Sequence, residues 1–169
     1  MVPGKIQFAE SEGTYVLKLI GEVRLTLCSS LETFLTMMFS EPGFKSVIVD
    51  LSEAVTIDST SLGMLAKLSI QSRKSFNQTP VLISPQPDIT RILMSMGFER
   101  IFVIVQETDI HPEQYINELE CEADCEQSTR ARVLDAHRIL MSLNEDNRTA
   151  FNDLVKQLER HGNPKIKAS

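Results

Sequence analysis

The sequence predicts an α/β fold: a mixed sheet in the order β-β-α-β-α-β-α-β with helices packed on it, followed by a C-terminal helical hairpin. Three observations carry this expectation. From residue 5 to about residue 106, segments of strand periodicity alternate with segments of helical periodicity, as helices layered on a sheet require. The run Ser46-Val-Ile-Val-Asp-Leu51 is continuously apolar and β-branched, as in strands covered on both faces. Beyond residue 127, two further stretches of helical spacing meet at Asn144.

The elements follow in order. Lys5-Ile-Gln-Phe-Ala9 alternates polar and apolar residues, and Ser11-Glu-Gly13 supplies a turn into a second strand over residues 14–20, so the pair reads as a hairpin. Residues 21–26 form a polar break. Leu31, Phe34, Leu35 and Met38 then fall at i, i+3, i+4 and i+7, with Ser29 or Ser30 placed to cap the helix and Pro42-Gly43 to stop it. The run Ser46–Leu51 is the central parallel strand. Ile57-Asp-Ser-Thr-Ser-Leu-Gly63 leads into a helix that starts near Thr60, carries Leu62, Leu65 and Leu68, and ends around Asn77. Val81-Leu-Ile-Ser84 is the next buried strand. Pro87 suits the first turn of a helix marked by Ile89, Ile92, Leu93 and Met96; Gly97 ends it, and residues 101–105 close the sheet. Right-handed crossovers make the last three strands parallel neighbours.

Composition bounds the function. The chain has 169 residues, enough for about one domain. Hydrophobic residues make up 42% and charged residues 24%, ordinary values for a soluble globular protein. Seventeen Lys and Arg against 23 Asp and Glu give a net charge of −6, a field that repels phosphate backbones and anionic lipid surfaces. Nucleic acid and membrane are therefore not expected as partners. The longest apolar runs fall far short of the ~20 residues needed to cross a bilayer, and the N-terminus lacks the pattern of a signal peptide, so the expected location is the cytoplasm. Cys28, Cys121 and Cys125 have no metal-site spacing and read as reduced thiols.

Past residue 106 the composition shifts. Asp109, Glu113, Glu118, Glu120, Glu122, Asp124 and Glu126 are joined by no Lys or Arg up to residue 129. The expected organisation is an α/β domain over residues 1–108, an acidic connector over 109–127, a helical hairpin over 128–162 and a disordered tail over 163–169. Residues 112–120 suit a short amphipathic helix with Tyr115, Ile116 and Leu119 on one face, and the rest of the connector reads as solvated. In the hairpin, Ser128 or Thr129 caps a helix bearing Val133, Ala136 and Leu140, while Asn144 caps one bearing Phe151, Leu154, Val155 and Leu158, which Gly162 and Pro164 terminate. A unit of roughly thirty residues cannot bury both of its apolar faces alone. It must dock on the α/β domain, on a second copy as a homodimer, or on a partner protein.

Catalytic motifs are missing. The sequence has no phosphate-binding glycine loop, no His-Glu-x-x-His and no Gly-x-Ser-x-Gly. His111, His137 and His161 all lie outside the α/β domain and read as surface or packed histidines, so no general base is visible. An enzyme is not expected, nor is a cofactor or a metal site. One segment stands out: Thr56-Ile57-Asp58-Ser59-Thr60-Ser61-Leu62-Gly63-Met64 crowds hydroxyls at a helix N-terminus. Asp58 or Ser59 can simply cap the first turn. The same open N–H groups and positive helix end also suit a phosphoryl group, which makes an exposed serine there a plausible covalent phosphorylation site.

In this setting the segment resembles the STAS family of anti-sigma factor antagonists over about residues 5–106. The family's Asp-Ser-Ser/Thr-Gly-Leu-Gly motif is matched by Asp58-Ser59-Thr60-Ser61-Leu62-Gly63, and Gly21-Glu22 and Met94-Ser-Met-Gly-Phe98 followed by Ile101 are similar to further family features. The resemblance implies that Ser59 is the phosphorylated residue, with Thr60 and Ser61 as secondary candidates. It implies a partner-switching cycle in a bacterium: the unphosphorylated chain binds an anti-sigma factor, commonly also a serine kinase, and frees a sigma factor, phosphorylation releases the partner, and a serine phosphatase resets the switch. Glu22, Arg24, Ile57, Asp58, Thr60, Ser61, Leu62, Gly63 and Met64 are the implied partner-binding residues. Ser61 stands where the family usually has glycine, and Arg24 where many relatives have an aspartate, so partner specificity is expected to differ. Two other readings remain: a STAS scaffold or transport-complex subunit that is never phosphorylated, and an enzyme using Ser59 as nucleophile.

Overall fold

The computed structural model describes residues 3–107, 117–120 and 125–161. β1 (Lys5–Ser11) and β2 (Thr14–Val23) pair antiparallel with Ser11 opposite Thr14. The turn between them is tight because Glu12 and Gly13 both adopt positive φ, 51° and 89°, the backbone a two-residue hairpin needs to follow the strand twist. β2 continues to Val23, through part of the expected polar break. A single 3-10 turn, Leu25–Leu27, then leads into α1 (Cys28–Ser40), so this helix starts ahead of the expected Ser29 or Ser30 cap.

β3 (Ser46–Asp50) lies parallel to β2. The chain adds a strand absent from the expected order: β4 (Ala54–Ile57) runs beside the far end of β2, with a register slip between Gly21 and Glu22. α2 (Ser59–Phe76) follows at once and ends on Asn77 in the left-handed conformation. β5 (Val81–Ile83), α3 (Pro87–Ser95) and β6 (Val103–Val105) complete the parallel half. β6 is shorter than the expected 101–105 because Ile101 and Phe102 leave the strand direction to enter the core.

Within the region expected to form a short helix, β7 (Asn117–Glu118) instead pairs antiparallel with β1, and Leu119 N–H donates to the Ile6 carbonyl at 2.9 Å. Residues 112–116 of that expected helix, Tyr115 and Ile116 included, lie outside the described residues, as do His111, Cys121 and the tail over 163–169. The sheet order is β6-β5-β3-β2-β1-β7, with β4 attached to β2.

α4 (Glu126–Met141) and α5 (Glu145–His161) form the hairpin. Cys125, rather than Ser128 or Thr129, caps α4: its Sγ accepts the Ser128 N–H at 3.4 Å. Asn144 caps α5 as its type suggests, Oδ1 accepting the Asn147 N–H at 2.7 Å.

The hairpin shares the core of the α/β unit. Leu17, Val49 and Leu82 from the sheet, Leu31 and Phe34 from α1, and Leu62, Leu65 and Leu68 from α2 form one buried cluster that also takes in Leu140 and Leu143. Polar anchors surround this contact. Arg132 Nε donates to Glu32 Oε2 on α1 at 2.7 Å, and Lys67 on α2 lies between Glu32 and Asp135, at 3.5 and 3.3 Å. At the other end, Arg100 donates to the Leu143 carbonyl, and the buried Asn147 side chain donates to the carbonyls of Met96 and Leu140.

α2 and α4 come close together at a pair of small residues. A Cβ built on Gly63 stands 2.5 Å from both the Cβ and the carbonyl oxygen of Ala136, closer than carbon atoms tolerate. Gly63→Ala is therefore expected to lower stability by about 1–3 kcal/mol through overpacking, read as a shift of the urea midpoint. Restoring space with Ala136→Gly in the same chain should recover part of the loss, and a Gly63→Ala protein as stable as the parent would show that the helices are not seated here.

Candidate functional site

The end of the sheet where β4 meets α2 collects the hydroxyl-rich segment. Asp58 is the N-cap of α2, in extended backbone. One carboxylate oxygen accepts the Ser61 N–H at 2.8 Å, satisfying one of the open donors of the first turn. The other accepts the Leu25 N–H at 2.7 Å, and the Asp58 N–H donates to the Val23 carbonyl at 3.0 Å. A single carboxylate thus fixes the start of α2 and ties it to the β2–α1 loop. Glu22 at the end of β2 and Arg24 of that loop pair with each other at 3.1 Å, with Arg24 well exposed. Distant stretches of sequence are brought together here: Glu22, Arg24, Asp58 and Ser59 form one surface.

Ser59 occupies the first helical position and is partly exposed. Its Oγ lies 2.8 Å from His137 Nε2 on α4. The other ring nitrogen, Nδ1, lies 2.7 Å from the Val133 carbonyl one turn back. A carbonyl can only accept, so in the neutral ring Nδ1 carries the proton and Nε2 offers its lone pair; the Ser59 hydroxyl donates to it. The imidazole is buried, 2% exposed, with its edge against Phe151, ring centroids 4.9 Å apart.

This histidine corrects the sequence reading in which no base stood near the serine. The signal was present: Val133, Ala136, His137 and Leu140 sit at i, i+3, i+4 and i+7, which places His137 on the buried stripe of its helix. A buried imidazole needs partners for both nitrogens, and those partners are a backbone carbonyl and Ser59. The pair has a hydroxyl and an acceptor in bonding distance, but the ring is oriented by a peptide carbonyl and not by a carboxylate.

The remaining expected contact residues are placed differently from an open docking surface. Ile57, Thr60, Ser61, Leu62, Gly63 and Met64 are all buried. Leu62 and Met64 belong to the core cluster, and Gly63 lies under Ala136. Ser61 Oγ is 3.6 Å from the buried Cys28 Sγ, and burial pushes the Cys28 thiol up to about 11, which leaves it uncharged and a poor nucleophile at neutral pH. Helical geometry accounts for the difference: in a helix with one face on a sheet and another under a second helix, only part of each turn reaches solvent.

Among the described residues, no group of three or more His, Cys, Asp or Glu side chains is arranged to hold a metal ion, and no helix is long and apolar enough to cross a membrane.

A family model for the STAS domain matches residues 5–112. Among solved structures, the fold is similar to the anti-sigma factor antagonist SpoIIAA in its unphosphorylated form, with TM-score 0.52 and 14% identity over 62% of this chain and 90% of that one. It is also similar to the Bacillus cell fate determinant SpoIIAA in the phosphorylated form, with TM-score 0.50 and 14% identity over 60% of this chain and 92% of that one. At such identity the likeness concerns the fold. No curated protein matches by sequence. Both structural matches span nearly the whole of the other chain and under two thirds of this one, so part of this chain has no counterpart in them.

Proposed function

Because the chain belongs to the STAS domain family, we propose that it is an anti-sigma factor antagonist that works by partner switching in the bacterial cytoplasm. Unphosphorylated, it binds an anti-sigma factor with serine kinase activity through the surface around Ser59; phosphorylated on Ser59, it lets go; a serine phosphatase restores the first state. The observation that carries this reading is the position of Ser59, partly exposed on the first turn of α2 and next to Asp58, which ties that turn to the loop after the Glu22–Arg24 ion pair. A phosphoryl group there adds about −1.5 to −2 charges next to Asp58 on a surface that a partner must desolvate. In the same reading the chain is not an enzyme: the Ser59–His137 pair lacks the carboxylate that orients and supports a catalytic imidazole.

Among the neighbouring hydroxyls, Thr60 and Ser61 are buried, 5% and 1% exposed, so modification should be confined to Ser59. Peptide mapping by mass spectrometry, on the full chain isolated from its own cells, is expected to find a phosphoryl group on Ser59 and none on Thr60 or Ser61. The Ser59→Ala chain should co-purify with a protein that itself binds a sigma factor. Failure to find phosphate on Ser59 under any growth condition, with no such partner recovered, would overturn the reading.

A further inference from the structure

We infer that the C-terminal hairpin is the resident occupant of the α2 surface that the partner uses, so that the anti-sigma factor must displace α4 in order to bind. This inference rests on the functional reading above. The contacts fall on one stripe of α2: Ser59, Gly63 and Lys67, spaced four apart, meet His137, Ala136 and Asp135 of α4. These are one hydrogen bond, one close helix approach and one ion pair. The stripe begins at the serine whose charge state sets binding and runs along the helix that follows it. A partner reaching that helix finds it covered.

Leaving has a cost, because Leu140 and Leu143 sit in the core shared with Leu62 and Leu65 and the imidazole facing Ser59 is buried, so a partner that displaces α4 must replace that burial with its own. The ion pair to Lys67 is half exposed, with side-chain exposures of 36% and 53%, and pairs of that kind add little. The covered stripe also describes what a rival must offer. It needs a helix with a residue as small as alanine against Gly63, a hydrogen-bond acceptor for the Ser59 hydroxyl on one side, and an acidic side chain for Lys67 on the other. Closure lowers the apparent affinity by the fraction of chains that are open.

Two substitutions on α4 weaken the latch without touching the α/β surface. His137→Ala removes the acceptor for Ser59, and Ala136→Glu forces a charged side chain against Gly63. Amide hydrogen exchange on the full chain without partner should show faster exchange in α4 for both variants, with β2, β3 and β5 still protected. Titrated with the purified anti-sigma factor that Ser59→Ala captures, both should bind about tenfold more tightly than the parent. Unchanged exchange in α4 would overturn the latch. Faster exchange with equal or weaker binding would overturn the competition while leaving partner switching intact. A parent chain and variants that all fail to bind any anti-sigma factor would overturn the functional reading and this inference with it.

Discussion

Ser59→Asp is expected to bind the anti-sigma factor roughly a hundredfold more weakly than Ser59→Ala, a difference of about 3 kcal/mol. The comparison is informative because of His137. In the parent chain the Ser59 hydroxyl donates to the buried Nε2. Alanine and aspartate both remove that donor, and an unpaired buried acceptor costs about 1–3 kcal/mol. Alanine leaves the ring nitrogen unpaired and loosens the hairpin, whereas the carboxylate of aspartate can accept from a protonated Nε2, so the difference between the two reports the added charge together with its effect on the latch. Aspartate at position 59 sits beside Asp58, whose two oxygens already hold the Ser61 and Leu25 N–H groups, so the added carboxylate is a second negative charge at that cap and must be desolvated at the interface. Isothermal titration of the two full-length variants against the same partner reads the effect directly. Equal affinities would remove charge from the mechanism. The parent chain should lie near Ser59→Ala but somewhat weaker, because its latch is intact.

Much of this arrangement is legible in the residues, and the parts that are not have physical reasons. The strands around Val47–Val49 and Val81–Ile83 and the helices carrying Leu31–Met38 and Leu62–Leu68 follow from apolar spacing, since burial on a sheet leaves that imprint on sequence. β4 escapes notice because its burial runs buried, exposed, exposed, buried: beside a register slip in β2 the chain loses the strict alternation that marks a strand. β7 has only two residues, both exposed, and its pairing with β1 depends on backbone donors that side chains do not advertise. Cys125 as a cap illustrates the weakness of type preferences, since a thiol took a role usually filled by oxygen. The Asp58-Ser59 cap was readable as a cap. Its neighbour across space was not: Ser59 and His137 are 78 positions apart, and nothing local in either segment points to the other.

Leu140→Ala is expected to cost about 2–5 kcal/mol in the docking of the hairpin on the α/β unit, a larger effect than any surface change in the hairpin. Leu140 is 0% exposed and belongs to the same buried cluster as Leu62, Leu65 and Phe98, so its methyl groups fill space between α4 and the α/β unit. Removing them leaves a cavity whose walls are held apart by the sheet and by α2, and such walls collapse only partly. Leu154→Ala on α5 is the control. That side chain is 38% exposed, and its truncation should cost under about 1 kcal/mol. Urea unfolding followed by circular dichroism distinguishes two ways in which the larger loss can arise. A single transition moved to lower urea means that hairpin and α/β unit unfold as one cooperative unit. An early transition confined to helix signal, with the main midpoint unchanged, means that α4 and α5 leave first while the sheet persists. A partner that displaces α4 depends on the second behaviour, because a surface becomes available for binding only if the structure beneath it survives the departure of what covered it. The expectation is therefore a biphasic curve for Leu140→Ala, its first phase carrying the helical loss. A cooperative shift of the whole curve would mean that the hairpin cannot be displaced without unfolding the domain it covers.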